Sequence, residues 1–188
     1  VYIMMASTNG NITVYEIGTV LQRHFRLVGT NDACHLTLQS QAFEDYQPAS
    51  KLGVLAFDQH IHQSSIKDLD FSYTSASNIS IVTGGDDNGI ALSRLKMEGG
   101  KLSLDILSFI PDAAASTVTC VCLVNSKSVL IASVDQKVRL WGFENSTLTL
   151  IEDDYTTVAD TGCVTLAKFT SGKKLCLIGG AGVSSWIV

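Results

Sequence analysis

The sequence predicts an all-β fold, and three observations carry this prediction. Short runs of alternating apolar and polar residues recur along the chain, which is the two-residue period of half-buried strands. Turns such as TNGN at 8–11 and DDNG at 86–89 separate the runs and supply residues that tolerate the positive φ of tight hairpins. Only two prolines occur, and the 3.6-residue period of amphipathic helices is hard to find.

Eight strands follow from this pattern. The first, ITVYEI, leaves the TNGN turn, and the DDNG turn joins ISIVTG to IALSRL. The run TVTCVCLV places two cysteines on one face of its strand because side chains alternate. In chain order the predicted strands span residues 12–17, 66–71, 79–84, 90–95, 118–124, 128–134, 137–143 and 174–180.

Four segments repeat one pattern: a pair of small residues, a polar turn, and an alternating strand that closes on Tyr, Ser or Trp. They are ASTNGNITVYEI (6–17), GGDDNGIALSRL (84–95), ASVDQKVRLWGF (132–143) and IGGAGVSSWIV (178–188). The closing residues Ser93, Trp141 and Trp186 lie 48 and 45 residues apart, close to one four-stranded propeller blade. A β-sandwich is the alternative, but the near-constant period favours a β-propeller.

The predicted architecture is about four propeller blades that form the C-terminal part of a larger ring. The chain opens on Val1 rather than Met, which suggests a piece of a longer protein. The 78 residues between Tyr15 and Ser93 indicate two blades, one of them degenerate, or one blade with an insertion. We therefore divide the chain into a degenerate or inserted region at 18–59 and well-matched blades at 60–188.

Five positions are predicted to be structural. Asp87 and Asp135 precede a strand-closing residue by six positions, as an acidic turn residue does in a WD-repeat blade, where it accepts hydrogen bonds that join strands. His62 stands where such a blade often has a histidine. Trp141 and Trp186 close the last two strands.

No catalytic, cofactor-binding or metal-binding residues are predicted. His60 and His62 share a strand face, but no third ligand has convincing spacing. The pairs Asp86–Asp87 and Asp153–Asp154 are read as a hairpin turn and a solvated loop. GGAGVSSW does not open a helix and has no G-x-S-x-G frame, so neither phosphate binding nor a serine nucleophile is favoured.

Composition bears on location and partners. Five cysteines in no framework pattern favour free thiols, a reducing compartment and a cytoplasmic protein. No apolar run is long enough to cross a bilayer, so we expect no membrane insertion. A net charge of −5 gives no overall attraction to nucleic acid. The triplets at Asn11, Asn78 and Asn145 match glycosylation acceptors, although turn-rich chains also produce such triplets by chance.

The ordered motifs of the second part resemble one WD-repeat family, the non-catalytic subunit of the eukaryotic tRNA 2′-O-ribose methyltransferase that acts at anticodon position 34. The resemblance covers residues 60–188, and its most specific part is VAD-x-x-C (Val158, Ala159, Asp160, Cys163) with the Gly-rich ending. The motifs are HQSSIKDLDF (62–71), VTGGDDNGIALSRL (82–95), TVTCVCL (117–123), IASVDQKVRLW (131–141), TTVADTGCV (156–164) and LIGGAGVSSWIV (177–188).

The resemblance implies a scaffold without catalytic residues. It would bind a separate Rossmann-type methyltransferase, which supplies the S-adenosylmethionine site, and would help position tRNA for methylation of the ribose of nucleotide 34. Contact with tRNA would be made through the complex. Some family members are also linked to endosomal recycling. The alternative is a general WD-repeat scaffold, such as a ubiquitin-ligase substrate receptor or an endosomal trafficking adaptor; an enzyme with a propeller fold is a third reading.

Overall fold

The computed structural model describes residues 2–17, 25–30, 33–38, 54–75, 78–168 and 174–187. Every helix or strand in these ranges is a β-strand, so the all-β prediction is confirmed. None of the segments in these ranges is a helix that is long and apolar enough to cross a membrane. The strands are β1 (Tyr2–Ala6), β2 (Asn11–Glu16), β3 (Phe25–Thr30), β4 (Ala33–Leu38), β5 (Val54–His60), β6 (Ile66–Ser75), β7 (Asn78–Gly85), β8 (Ile90–Glu98), β9 (Lys101–Ile110), β10 (Val118–Asn125), β11 (Ser128–Ser133), β12 (Lys137–Glu144), β13 (Thr147–Tyr155), β14 (Ala159–Lys168) and β15 (Lys174–Ile187).

The chain divides into two compact units. The first contains residues 1–5 and 13–58. It holds most of a three-stranded sheet in the order β1-β2-β5, together with the antiparallel hairpin β3–β4. The hairpin lies in the region 18–59 that was predicted to be degenerate or inserted. Much of that region falls outside the described residues, so this division stays a prediction.

The second unit contains residues 6–12 and 59–188. Two antiparallel four-stranded sheets, β6-β7-β8-β9 and β10-β11-β12-β13, follow one another, and the hairpin β14–β15 comes last. Each four-stranded sheet is a meander in which every strand pairs with the next. Strand β10 contacts β6 on one side and β14 on the other, so the first strands of successive sheets are neighbours.

Two apolar clusters join these sheets. The first lies between the two four-stranded sheets and includes Val82, Leu92, Val118, Val129 and Trp141. The second joins the β10–β13 sheet to the final hairpin; its fully buried members are Ala132, Val138, Cys176 and Ile178, with Cys120, Val124, Leu130 and Val164 nearly so. Burial of side chains of this size contributes about 1.5–3 kcal/mol each for Val, Leu and Ile. The alternating residues that predicted the strands therefore provide the contacts between sheets.

The structure adds strands that the sequence pattern missed. The outer strands β9 and β13 each have one buried residue, and each is the last strand of its sheet. Their alternation is weak for that reason. Asp153 and Asp154, read as a solvated loop, lie on β13 and remain exposed there. In the last repeat the expected polar turn is absent, since β15 runs without a break through Gly179–Val183.

Candidate functional site

The turn between β7 and β8 is held by a buried histidine. Nδ1 of His62 lies 2.9 Å from the Asp87 carboxylate, and its Nε2 lies 2.8 Å from the Thr83 hydroxyl. The same carboxylate accepts the backbone N–H groups of Gln63 and Gly89. The side chain of His62 is fully buried and that of Asp87 is 8% exposed. Asp87 therefore ties the segment that precedes β6 to the β7–β8 turn.

The pKa of the Asp87 carboxyl is lowered even though the group is largely buried. Burial raises its pKa, but the hydrogen bonds from His62 and from two backbone N–H groups outweigh burial and hold the pKa below its ordinary value. The carboxylate is thus the stable form in the folded chain. Its neighbour Asp86 is also occupied, because it pairs with Lys67 at 2.9 Å and accepts the Thr117 hydroxyl. This pair of aspartates joins strands and is not a free acid–base pair.

The equivalent turn between β11 and β12 uses arginine instead of histidine. The Asp135 carboxylate accepts hydrogen bonds from both terminal nitrogens of Arg139, at 3.1 and 2.6 Å. It also accepts hydrogen bonds from the backbone N–H groups of Ala115 and Lys137. Burial raises the pKa of this carboxyl, whereas the guanidinium and the two N–H groups lower it further than burial raises it. Asp135 therefore has the same role as Asp87, with an arginine as its side-chain partner instead of a histidine.

The side-chain partner of the turn aspartate comes from a different place in each sheet. Asp87 takes an N–H from Gln63 and Asp135 takes one from Ala115, so His62 and Ala114 stand at equivalent positions. Four residues after each aspartate the chain has Ala91 in the first sheet and Arg139 in the second. The first sheet thus supplies the partner of its aspartate from the preceding loop, and the second supplies it from the following strand. The segment before β10 has no histidine at the equivalent place, and Arg139, which sequence reasoning missed, provides the partner instead.

The residues that close the strand after each turn differ between the two sheets, and neither has a hydrogen-bond partner for its side chain among the described residues. Ser93 and Trp141 both come six residues after the turn aspartate, and both are buried. The Ser93 hydroxyl and the Trp141 indole N–H have no hydrogen-bond partner among the described residues. Thr83 lies four residues before Asp87 and provides a hydroxyl in the first sheet. The residue four positions before Asp135 in the second sheet is Ile131, which has no hydroxyl. Trp141 contributes to the first apolar cluster, and Trp186 packs against the second.

Two aspartates on β6 link the four-stranded sheets directly. Asp68 accepts the backbone N–H of Val121 at 2.9 Å, and Asp70 accepts that of Leu123 at 2.7 Å. The backbone N–H groups of β10 thus donate to side-chain carboxylates of β6, where in a β-ladder they would donate to backbone carbonyl groups. The alternation in IKDLDF predicts that both aspartates share one face, but the identity of the facing strand depends on the fold.

The two most specific motifs of the sequence meet in space. Strand β14 pairs Ala159 with Ala181 and Cys163 with Gly179, so residues 160–162 bulge out of the ladder. A side-chain carbon at Gly180 would lie 2.5 Å from the carbonyl oxygens of Ala159 and Asp160. One at Gly179 would lie 2.6 Å from the Cys163 sulfur. The VAD-x-x-C segment and the Gly-rich segment therefore form one packed unit.

Three thiols in the second unit are held in the protonated form. Burial raises the pKa of Cys120, and a hydrogen bond to Asp68 adds to the rise. Burial also raises the pKa of Cys122 and Cys176 to about 11 each, with Asp70 contributing at Cys122. Cys163 is exposed. The four cysteines with described side chains are free thiols, and the buried ones are poor nucleophiles.

His60 does not join His62 in a site. Its ring is exposed and its Nδ1 lies 2.9 Å from the Asn11 side-chain oxygen. Among the residues that the structure describes, no group of three or more His, Cys, Asp or Glu side chains is placed to hold a metal ion. Comparison with known proteins gives no matching family model and no significant match among curated proteins.

Proposed function

We propose that this chain forms blades of a WD-repeat β-propeller and acts as a non-catalytic scaffold. The observation that carries the architectural part is the succession of two four-stranded meanders whose first strands are neighbours. Each meander places a hydrogen-bonded aspartate at the same turn, Asp87 in one and Asp135 in the other. Propeller blades are arranged in this way, and rigid rings of blades present loops to partners.

The proposed partner is a Rossmann-type tRNA 2′-O-ribose methyltransferase that modifies nucleotide 34. This part rests on the resemblance of the ordered motifs. The two most specific of them, the VAD-x-x-C segment and the Gly-rich ending, pack against one another through Gly179 and Gly180. S-adenosylmethionine would bind to the partner enzyme, and the scaffold would contribute orientation of the tRNA.

The charge of the chain favours a contact with the enzyme over an extended contact with tRNA. Binding to an RNA backbone uses several Lys and Arg side chains, each neutralising a phosphate. This chain has 13 basic against 18 acidic residues. We therefore assign tRNA binding to the complex and not to this surface alone.

Affinity purification of the tagged chain from its own cells tests the proposal. We expect a small methyltransferase to copurify, and we expect deletion of the gene to abolish 2′-O-methylation at position 34, measured by mass spectrometry of tRNA digests. The purified chain alone should transfer no methyl group. Intact methylation after deletion would refute the tRNA role, and copurification of ubiquitin-ligase or endosomal sorting components instead would favour a general scaffold.

A further inference from the structure

A pocket of about 530 Å³ lies between the two four-stranded sheets, within the size range of ligand-binding clefts. Ser80 and Arg94 line it from the β6–β9 sheet, and Lys127 and Asn145 line it from the β10–β13 sheet. Lys127 lies in the β10–β11 turn and Asn145 in the β12–β13 turn. In a meander these turns are at the opposite end of the sheet from the Asp135 turn. The pocket is thus separate from the hydrogen-bonded turns described above.

Arg94 is the central charge of this pocket. Its side chain makes no hydrogen bond or ion pair among the described residues, and its Nε is buried. Its cross-strand neighbours are Ser80 on β7 and Asp105 on β9, but Asp105 pairs with Lys96 at 2.6 Å. A buried donor of a charged group without an acceptor is costly, so an acceptor that entered the pocket would recover that cost.

A second cation and several polar groups surround Arg94. The backbone N–H of Lys127 is held by the Asn125 side chain at 2.7 Å, which orders the turn that carries its ammonium group. Asn145 and Ser146 both have positive φ, as a tight hairpin turn requires, and present an amide and a hydroxyl to the pocket. Glu144 is the one carboxylate among the lining residues. The pocket therefore has a net positive charge in a chain whose net charge is −5.

We propose that this pocket binds an acidic side chain, a carboxylate, on an extended segment of a partner protein. The planar guanidinium of Arg94 matches two carboxylate oxygens, and Leu92, Leu107 and Phe143 offer apolar contacts to the stem of such a side chain. Two cations and the nearby Glu144 do not make the row of basic groups that an RNA backbone needs. The inference rests on the proposed scaffold role and names the chemistry of one contact that the scaffold makes.

Nuclear magnetic resonance of the 15N-labelled 188-residue chain tests the pocket, with the Arg94 Nε–H signal as the reporter. The probe is a tripeptide with a central glutamate and blocked ends; the matched control has glutamine in its place. We expect a saturable shift with a dissociation constant on the order of 1 mM for the acidic probe and none for the control.

Variants assign the contact to the charges. Lys127→Gln should weaken binding several-fold, and Glu144→Gln should strengthen it, because one removes an attractive and the other a repulsive charge. Arg94→Gln should abolish the remaining backbone shifts around the pocket. Lys101→Gln, at the exposed start of β9, is the control and should change nothing. Since Lys127 and Glu144 are exposed, these variants should remain folded, and an unchanged spectrum elsewhere verifies this.

The outcomes separate this inference from the proposed function. Equal binding of the two peptides, or full binding by Lys127→Gln and Arg94→Gln, would overturn it. Tighter binding of inorganic phosphate or of a ten-nucleotide single-stranded RNA would assign the pocket to nucleic acid and overturn it as well. Copurification of the methyltransferase without peptide binding rejects the pocket alone. Selective peptide binding without that enzyme supports the pocket and rejects the proposed partner.

Discussion

The hydrogen-bonded turn at Asp87 provides the sharpest test of how this fold is held together. Replacing Asp87 with alanine removes the acceptor for His62 Nδ1 and for the backbone N–H groups of Gln63 and Gly89. The histidine remains fully buried, with Thr83 as its other partner. The substitution therefore leaves the buried Nδ1 of His62 unpaired, removes the acceptor of two backbone N–H groups and creates no compensating contact.

The expected loss of stability is large. Leaving one buried donor without an acceptor costs about 1–3 kcal/mol; Asp87→Ala does this to His62 and also removes the acceptor of two backbone N–H groups, so we expect a total loss of about 3–5 kcal/mol. With a urea dependence of about 2 kcal/mol/M, the unfolding midpoint should fall by about 1.5–2.5 M. This is a substantial part of the about 5–15 kcal/mol that stabilises a typical protein.

Equilibrium urea unfolding followed by circular dichroism measures the effect. Asp154→Ala is the matched control, because Asp154 is exposed on β13 and its carboxylate accepts a hydrogen bond from its neighbour Tyr155. It should leave the midpoint nearly unchanged. A double-mutant cycle with His62→Ala then isolates the coupling, which we expect to exceed about 1 kcal/mol for residues in one network.

Equal midpoint shifts for Asp87→Ala and Asp154→Ala would refute the reasoning. So would additive effects of Asp87→Ala and His62→Ala, since additivity means that the two side chains do not stabilise one another. Faster hydrogen exchange at the Gln63 and Gly89 amides in Asp87→Ala is a second required result, because both N–H groups lose their acceptor.

Three further predictions use the same contacts. Gly180→Ala should lower the melting temperature by about 4–8 °C through a backbone clash worth roughly 2 kcal/mol, whereas Gly162→Ala, whose nearest contact is at 3.7 Å, should be neutral in calorimetry. The folded-state pKa of Asp135 is lowered, so its contribution to stability is present above about pH 4 and is lost as the pH falls further. Asp135→Asn should therefore reduce the dependence of the unfolding free energy on pH in this acid range. An unchanged dependence would contradict the assignment. Iodoacetamide at pH 8 should label exposed Cys163 in the folded chain well before Cys122, whose pKa is raised to about 11, and peptide mass spectrometry that finds equal rates would contradict the described burial.

Much of the fold could be read from local patterns. Apolar runs bounded by turn residues reveal strands such as β10, β11 and β12, because both faces of these strands pack in the apolar clusters. The outer strand β13 was missed because it has one buried residue, Leu148, and therefore little alternation. The turns were also predicted in part. Asn88 and Gln136 have positive φ and lie in predicted turns, whereas the predicted turn near Gly182 is a continuous strand.

The site was predicted in part. His62 and Asp87 were both named as structural positions, and the structure brings them to 2.9 Å. Asp135 was named as well, but its partner Arg139 was not, because an arginine on an alternating strand looks like any other solvated residue. Thr83 was missed for the same reason, since a hydroxyl in a strand carries no signal until its cross-chain neighbour is known.

What the linear order of residues specifies here is local: strand periodicity, turn chemistry, and the recurrence of an aspartate six residues before a closing position. These features depend on neighbours within a few residues, so they can be recognised in the sequence. The pairing of Asp68 with Val121, the packing of Gly180 against Ala159 and the place of Arg94 between Ser80 and Asp105 depend on which strands lie side by side. Such contacts join residues far apart in the chain, and packing of the folded sheets alone selects them.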